Sequence, residues 1–243
     1  KYPLETIECT VAGIKNLLEL GRKNKNLEGF LFFSSSEIYG APNPAAVPTP
    51  ETYHGYVSSV GPRACYDESK RLGETIATIY YEQFGIPTRI VRPFNVFGPG
   101  MSHNDRRVLP MFAYKILHNE LIPVHGDGSQ TRTFCYITDA ITGFLKVLLR
   151  GQSGHAYNVG NDENEISMRD LAKLFTSLGR SGSYELIPYP PNYPAGEPQR
   201  RCPDITKAKT DLDFTPQVSL EDGLKRFLTW CETDPQYTGS SLK

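Results

Sequence analysis

Long apolar runs are missing from this chain: no stretch approaches the roughly 18 consecutive apolar residues of a membrane-spanning helix. Lys1-Tyr2-Pro3 leads straight into helical sequence, without a charged-then-apolar leader. An excess of either charge is lacking too. Lys and Arg number 26 against 27 Asp and Glu, a formal net charge of −1, so no broad basic field exists to hold nucleic acid by its phosphates. A local anion site stays open. Cysteine is sparse: Cys9, Cys65, Cys135, Cys202 and Cys231 are odd in number, scattered, and form no C-x-x-C pair. Neither a disulfide frame nor a zinc site has the spacing it needs. The chain is expected to hold reduced, packed thiols and no metal, and to be a soluble, cytoplasmic protein. No internal repeat or low-complexity tract occurs. What remains is 243 residues, 39% of them hydrophobic, enough for one domain with a substantial core or two small lobes sharing a cleft.

Ile7, Val11, Ile14, Leu17 and Leu18 recur at helical spacing and predict an amphipathic helix that stops near Gly21. Phe30-Leu31-Phe32-Phe33 runs apolar without alternation, as a strand covered on both faces does. A Pro-rich loop from Gly40 to Pro62 follows, then a helix from about Tyr66 to Phe84 with Leu72, Ile76 and Ile79 on one face, and a strand Thr88-Arg89-Ile90-Val91. Strand, helix, strand at this spacing predicts βαβ units. Further on, helices are predicted over Val108–His118 and Ile137–Leu149, the latter with a stripe of Ile137, Ile141, Phe144, Leu145 and Leu148, and short strands at Ile122–Val124 and Ala156–Val159. Ser167 and Asp170 form a capping-box-like start for a helix carrying Leu171, Leu174 and Leu178. The prolines between Tyr184 and Pro203 predict an ordered surface loop without regular elements. Ser219 caps a last helix, and a polar tail follows Cys231.

Three segments place reactive residues where a parallel sheet puts active sites, at the carboxyl ends of strands. Ser34-Ser35-Ser36-Glu37-Ile38-Tyr39-Gly40 follows the first strand directly; read alone, it is equally ordinary turn chemistry. Tyr66 and Lys70, four apart at a helix start, share a face, where an ammonium beside a phenol favours the phenolate. Arg92-Pro93-Phe94-Asn95-Val96-Phe97-Gly98-Pro99 runs from a strand into a Gly/Pro turn.

Taken in this order, the three segments resemble the extended short-chain dehydrogenase/reductases that modify nucleotide sugars, as does Gly126-Asp127-Gly128-Ser129-Gln130-Thr131-Arg132-Thr133-Phe134. The resemblance covers nearly the whole chain. Gly61-Pro62-Arg63-Ala64-Cys65-Tyr66-Asp67-Glu68 and Glu197-Pro198-Gln199-Arg200-Arg201-Cys202-Pro203-Asp204 look most like UDP-glucuronate decarboxylases, which make UDP-xylose. The resemblance implies a Rossmann-type, doubly wound α/β fold with a smaller substrate-binding lobe, and NAD as cofactor. It implies that Tyr66 takes the sugar-hydroxyl proton, that Lys70 lowers the tyrosine pKa and binds the nicotinamide ribose, and that Ser35 shares the sugar oxygen. Pro93 would line the cofactor. Ser36, Asn95, Arg107, Arg132, Arg200 and Arg201 would contact the nucleotide sugar, with Arg132 and Asn95 on the diphosphate. Glu37 points away from plain 4-epimerisation, and Ser36 stands where dTDP-glucose dehydratases carry Asp. Within the family the expected reaction is decarboxylation of UDP-glucuronate through transient oxidation at sugar C4, with a GDP-mannose-type 4,6-dehydratase or a 4-epimerase as the alternative.

The family's glycine-rich phosphate loop, G-x-x-G-x-x-G, is not found in these residues. By comparison with the family, on the order of 80 to 90 residues would precede Lys1. The chain is therefore expected to be a portion of a longer enzyme; the competing reading is a short, non-catalytic partner or scaffold. Residues 1–98 and 132–163 are assigned to the later part of the NAD-binding domain, 99–131 and 164–231 to the nucleotide-sugar lobe, and 232–243 to a tail. The resemblance also implies a homodimer through a four-helix bundle, to which Leu18, Tyr80 and Tyr81 would contribute.

Overall fold

The computed structural model describes residues 2–105, 107–178, 182–190 and 198–239. In chain order the elements begin with α1 (Pro3–Lys23), β1 (Phe30–Phe33), α2 (Ala64–Phe84), β2 (Thr88–Pro93), β3 (Val96–Phe97), α3 (Val108–Leu117) and β4 (Ile122–His125). They continue with β5 (Thr131–Arg132), β6 (Cys135–Tyr136), α4 (Ile137–Arg150), β7 (Ala156–Val159), β8 (Ile166–Ser167) and α5 (Met168–Ser177). The last are β9 (Tyr184–Ile187), β10 (Arg200–Arg201), α6 (Thr206–Leu212), α7 (Leu220–Cys231) and α8 (Pro235–Thr238).

Three parallel strands in the order β1-β2-β7 form the central layer. Successive side chains of a strand point to opposite faces, and both faces are covered. Phe32 and Ile90 pack with Ile14, Leu18, Ala77 and Tyr80 of α1 and α2. Val91 and Val159 pack on the other face with Val147 of α4 and Ala208 and Leu212 of α6. That is the doubly wound α/β arrangement. Gly73 permits the close approach of α2, since a Cβ there would lie 2.3 Å from the Phe32 ring. Gly85, with φ of 66°, closes α2 in the left-handed cap that glycine favours.

A separate core gathers Phe97, Phe112, Ile116 and Ile122 with Phe175, Leu224 and Phe227, from the segments that follow β2. Two small parallel pairs, β3-β6 and β4-β9, and a three-stranded sheet in the order β10-β5-β8 tie these segments together. Ser167 and Ser219 accept the amides of Asp170 and Asp222 at 3.0 and 3.2 Å, capping α5 and α7 as the sequence predicts.

Several expectations change. The apolar stripe read on α4 divides: Ile137 and Phe144 pack against the two cores, Ile141 and Leu145 face outward, and the fully buried face is Ala140, Gly143 and Val147. Small residues win there because a Cβ on Gly143 would sit 2.6 Å from Val159. In α1 and α2, Ile7, Leu17, Leu72 and Ile79 are likewise exposed. Leu18 and Tyr80, read as a dimer stripe, are buried within this chain between the two helices. The proline-rich segment holds β9 and β10, the first pairing with β4 from Ile122↔Tyr184 to His125↔Ile187. Residues 191–197 lie outside the described residues. The polar tail contains α8, whose Tyr237 is fully buried against Phe227 and Trp230. The five cysteines are free, but Cys9 is exposed rather than packed.

Candidate active site

The chain leaves β1 at its carboxyl end into a 3-10 turn, Ser36–Tyr39, capped by Ser35, whose Oγ accepts the Glu37 amide at 3.2 Å. The far side of this turn is anchored in the core. The buried Tyr39 hydroxyl donates to Asn158 Oδ1 at 2.8 Å and accepts from Arg92 Nη1 at 2.7 Å. Arg92 in turn grips both oxygens of Glu74 at 2.9 and 2.6 Å. Burial pushes the Tyr39 phenol far above the ordinary tyrosine range, so this tyrosine is a fixed neutral post. Gly40, with φ of 61°, ends the turn where a Cβ would strike the Tyr56 carbonyl.

Tyr66 and Lys70 project from the first turns of α2, and the Lys70 ammonium lies 5.8 Å from the centre of the Tyr66 ring. Lys70 Nζ also donates to the Phe33 carbonyl at 2.8 Å, which ties the helix to the end of β1. Burial lowers the Lys70 pKa below that of an ordinary lysine. Tyr66 keeps 38% of its surface exposed, so its phenol is accessible. A phenol on an open face with an ammonium one helical turn away is an arrangement for proton transfer at a sugar-sized hydroxyl.

Glu37 is the centre of an ion-pair cluster. Arg201 binds it with both guanidinium ends, Nη1 on one oxygen and Nη2 on the other at 3.1 Å. Arg63, at the N-cap of α2, also pairs with it. Arg63 reaches Asp67 as well, with Nε 3.8 Å from Oδ2. A cavity of about 140 Å³ opens beside them, walled by Glu37, Tyr56, Arg63, Pro198 and Arg201. Reading the sequence by reactive residue type passes over Arg63, although it stands inside the Gly-Pro-Arg-Ala-Cys-Tyr run that carries the resemblance.

The other sequence-selected residues fall into distinct surroundings. Arg132 and Arg201 are register partners on β5 and β10. Arg132 donates to the carbonyls of Thr131 at 2.8 Å and Pro198 at 2.7 Å. Arg200 is paired with Glu165 at 2.8 Å. Asn95, with φ of 42°, uses its side-chain amide on the Thr133 carbonyl at 2.8 Å. Pro93 ends β2 beside Val159, and Ser36 is buried in the turn. Arg107 stands apart from the Glu37 cluster, held by Asp105 at 2.5 Å. Both line a cavity of about 390 Å³ with Gly98, Pro99 and Met101. Among the described residues no group of His, Cys, Asp and Glu side chains is arranged to hold a metal, and no helix is long and apolar enough to cross a membrane.

An accessible Tyr-Lys pair beside a serine-capped turn at the carboxyl end of a doubly wound parallel sheet defines a dinucleotide-dependent class of α/β protein. The family model for the NAD dependent epimerase/dehydratase family matches residues 1–160, and the chain belongs to that family. Curated relatives include UDP-glucuronic acid decarboxylase 1 of Danio rerio, 37% identical over 98% of this chain and 55% of its own length. UDP-glucuronic acid decarboxylase 5 of Arabidopsis thaliana is 39% identical over 92% of this chain and 63% of its own. The chain therefore spans a little over half the length of these relatives. Among solved structures, a UDP-glucuronic acid 4-epimerase from Bacillus cereus, in complex with UDP-glucuronic acid and NAD, superposes with a TM-score of 0.76 at 28% identity, covering 93% of this chain and 68% of its own. The epimerase Mth375 of Methanothermobacter thermautotrophicus superposes with a TM-score of 0.85 at 27% identity, covering 98% and 69%.

Proposed function

We propose that this chain is the catalytic and substrate-binding portion of an NAD-dependent enzyme that decarboxylates UDP-glucuronate to UDP-xylose. The observation that carries the reading is Glu37 clamped by Arg201 and Arg63 next to the Tyr66–Lys70 helix. A dehydratase needs a free carboxylate to take a proton from sugar C5, and a carboxylate already engaged by two guanidiniums serves that role poorly. A decarboxylase takes no proton from C5 with this group; there the clamped Glu37 serves as a fixed contact for the sugar beside Tyr66. The similarity to UDP-glucuronic acid decarboxylases over 92% to 98% of the chain supports the same choice.

The nicotinamide side of a cofactor site fits these residues: Lys70 and the accessible Tyr66 stand at the carboxyl end of β1, with Pro93 at the end of the neighbouring β2. NAD, when bound, accepts the hydrogen from sugar C4 and later returns it. Tyr66 takes the proton from the C4 hydroxyl, with the Lys70 ammonium stabilising the phenolate. Loss of CO2 from the resulting β-keto acid leaves an enolate with charge on the C4 oxygen, where the Tyr66 and Ser35 hydroxyls donate, and a solvent-derived proton adds at C5 before the hydride returns to C4. Asn95, Arg132 and Arg200 hold the nucleotide diphosphate after exchanging their present partners for it, and Arg107 contacts the sugar. Residues 1–98 and 132–163 serve the cofactor side, and 99–131 with 164–231 the substrate side; the core around Phe112, Ile122, Phe175 and Leu224 supports the substrate side, although Ala208 and Leu212 of α6 pack against the central sheet. The exposed Leu17, Leu20, Leu72 and Ile79 on α1 and α2 support a dimer formed through these two helices. Free thiols throughout suit the cytoplasm.

Incubating the full-length chain with UDP-glucuronate and NAD tests the reaction. CO2 and UDP-xylose are the expected products. Formation of the 4-epimer without CO2, the activity named for the Bacillus cereus neighbour, would overturn decarboxylation in favour of epimerisation.

A further inference from the structure

Arg63 has no role in the chemistry above, yet its placement is specific. It is the residue immediately before α2, three positions before Tyr66. It pairs with Glu37 Oε2, the oxygen that also accepts from Arg201 Nη2 at 3.1 Å. One carboxylate oxygen is thus shared by two guanidiniums arriving from different parts of the fold, Arg201 from β10 and Arg63 from the helix that bears the tyrosine. Arg201 alone fixes the plane of the carboxylate through its two-pronged grip. It does not fix that plane relative to Tyr66, because β10 and α2 are separate elements. The contact from Arg63 supplies this second constraint.

Charge balance points the same way. Glu37 and Asp67 together offset Arg63 and Arg201, and Asp67 and Arg201 are only 5% and 7% exposed. Removing Arg63 takes a guanidinium from both carboxylates and leaves Glu37 with Arg201 as its remaining cationic partner among the described pairs. We propose that Arg63 is a positioning residue for the reaction, holding the Glu37 carboxylate in register with Tyr66. The inference rests on the nucleotide-sugar reading above and extends it to a residue that does not touch the reacting atoms.

The test is steady-state kinetics on the full-length chain carrying Arg63→Ala, Arg63→Lys, Glu37→Gln and the Arg63→Ala/Glu37→Gln pair. Arg63→Ala is expected to lower kcat on the order of 10- to 100-fold, the cost of a misplaced catalytic group, with KM changed less than about threefold. Arg63→Lys restores part of the loss, because it returns the charge without the fork. Added to Glu37→Gln, Arg63→Ala costs far less than it does in the wild type. A kcat for Arg63→Ala within twofold of wild type overturns the proposal, as does a loss of equal size in the two backgrounds. If the wild-type chain turns over no nucleotide sugar, the functional reading fails on its own. The coupling is then read from thermal midpoints, where losses smaller than additive uphold the placement of Glu37 by Arg63 and additive losses overturn it.

Discussion

The Lys70 ammonium is bonded to a backbone carbonyl, Phe33 O, rather than to a carboxylate. Burial therefore acts on it without a compensating counter-charge, and its pKa falls. The sign matters for function: as pH rises, the cation disappears earlier than from an ordinary lysine, so the positive charge beside Tyr66 is lost on the alkaline side. The pH profile of kcat should bend downward below about 10.4, the value for an unperturbed lysine, and Lys70→Arg should remove that limb. Tyr66→Phe should lower kcat by roughly 10²- to 10⁴-fold, the usual weight of general base catalysis, with the nucleotide sugar still bound in calorimetry. The cysteines divide sharply. Burial raises Cys135 and Cys231 to about 12 and Cys202 to about 11, whereas Cys9 is exposed. Titration of the native protein with a thiol reagent near pH 8 should modify Cys9 first and leave Cys135, Cys202 and Cys231 untouched until denaturant is added.

At the scale of elements, the turn that carries Ser35 and Glu37 is held from behind by Tyr39, Asn158 and Arg92. Tyr39→Phe removes the hydroxyl these two side chains share and leaves buried polar atoms unmatched. It should cost about 1–3 kcal/mol in urea unfolding and reduce activity through the turn rather than through substrate contact. This network also marks where sequence reading runs out. Periodicity locates α1, α2, α4, α5 and α7 because each carries apolar residues at helical spacing. It misjudges part of the buried faces of α2 and α4: Ile76, Ile137 and Phe144 pack against the cores, but Gly73, Ala77, Ala140 and Gly143 face the sheet while Leu72, Ile79, Ile141 and Leu145 face outward. Close approach selects small side chains, and a hydrophobicity pattern weights large ones. β9, β10 and α6 are too short and too proline-bounded to show a period, and they exist through pairing with β4, β5 and β7. The Tyr66–Lys70 juxtaposition is legible because the two stand four apart on one helix, whereas Ser35 enters only through the family resemblance. The partners of Glu37 are not legible, because Arg201 lies 164 positions away.

For the whole molecule, apolar side chains that local packing leaves outside become the informative ones. Leu17 and Leu20 are 56% and 64% exposed on α1, with Leu72 and Ile79 exposed on the adjoining α2. Exchanging Leu17 and Leu20 for Asp should convert the dimer proposed above to a monomer in light scattering; a monomeric wild type overturns the dimer, and an unchanged dimer mass of the variant overturns its placement on α1. A second apolar area, Ile141, Leu145 and Leu149 of α4 with Phe33 stacked edge-on against Phe144 at 5.0 Å, borders β1. β1 pairs with β2 on one side, and its other edge has no strand among the described residues. A long unpaired edge invites pairing with another strand.

The link between Glu37 and Arg201 also sets an order in time. During synthesis the turn bearing the carboxylate emerges 164 residues before its fork, an interval of about 8 to 33 s at ordinary elongation rates. Ser35 is translated just before that interval and Arg63, Tyr66 and Lys70 within it, whereas Arg201 comes only at its end. A nascent chain, or one cut ahead of β10, thus carries Ser35, Tyr66 and Lys70 while Glu37 still lacks its Arg201 fork, so the reaction proposed above would await the late segments.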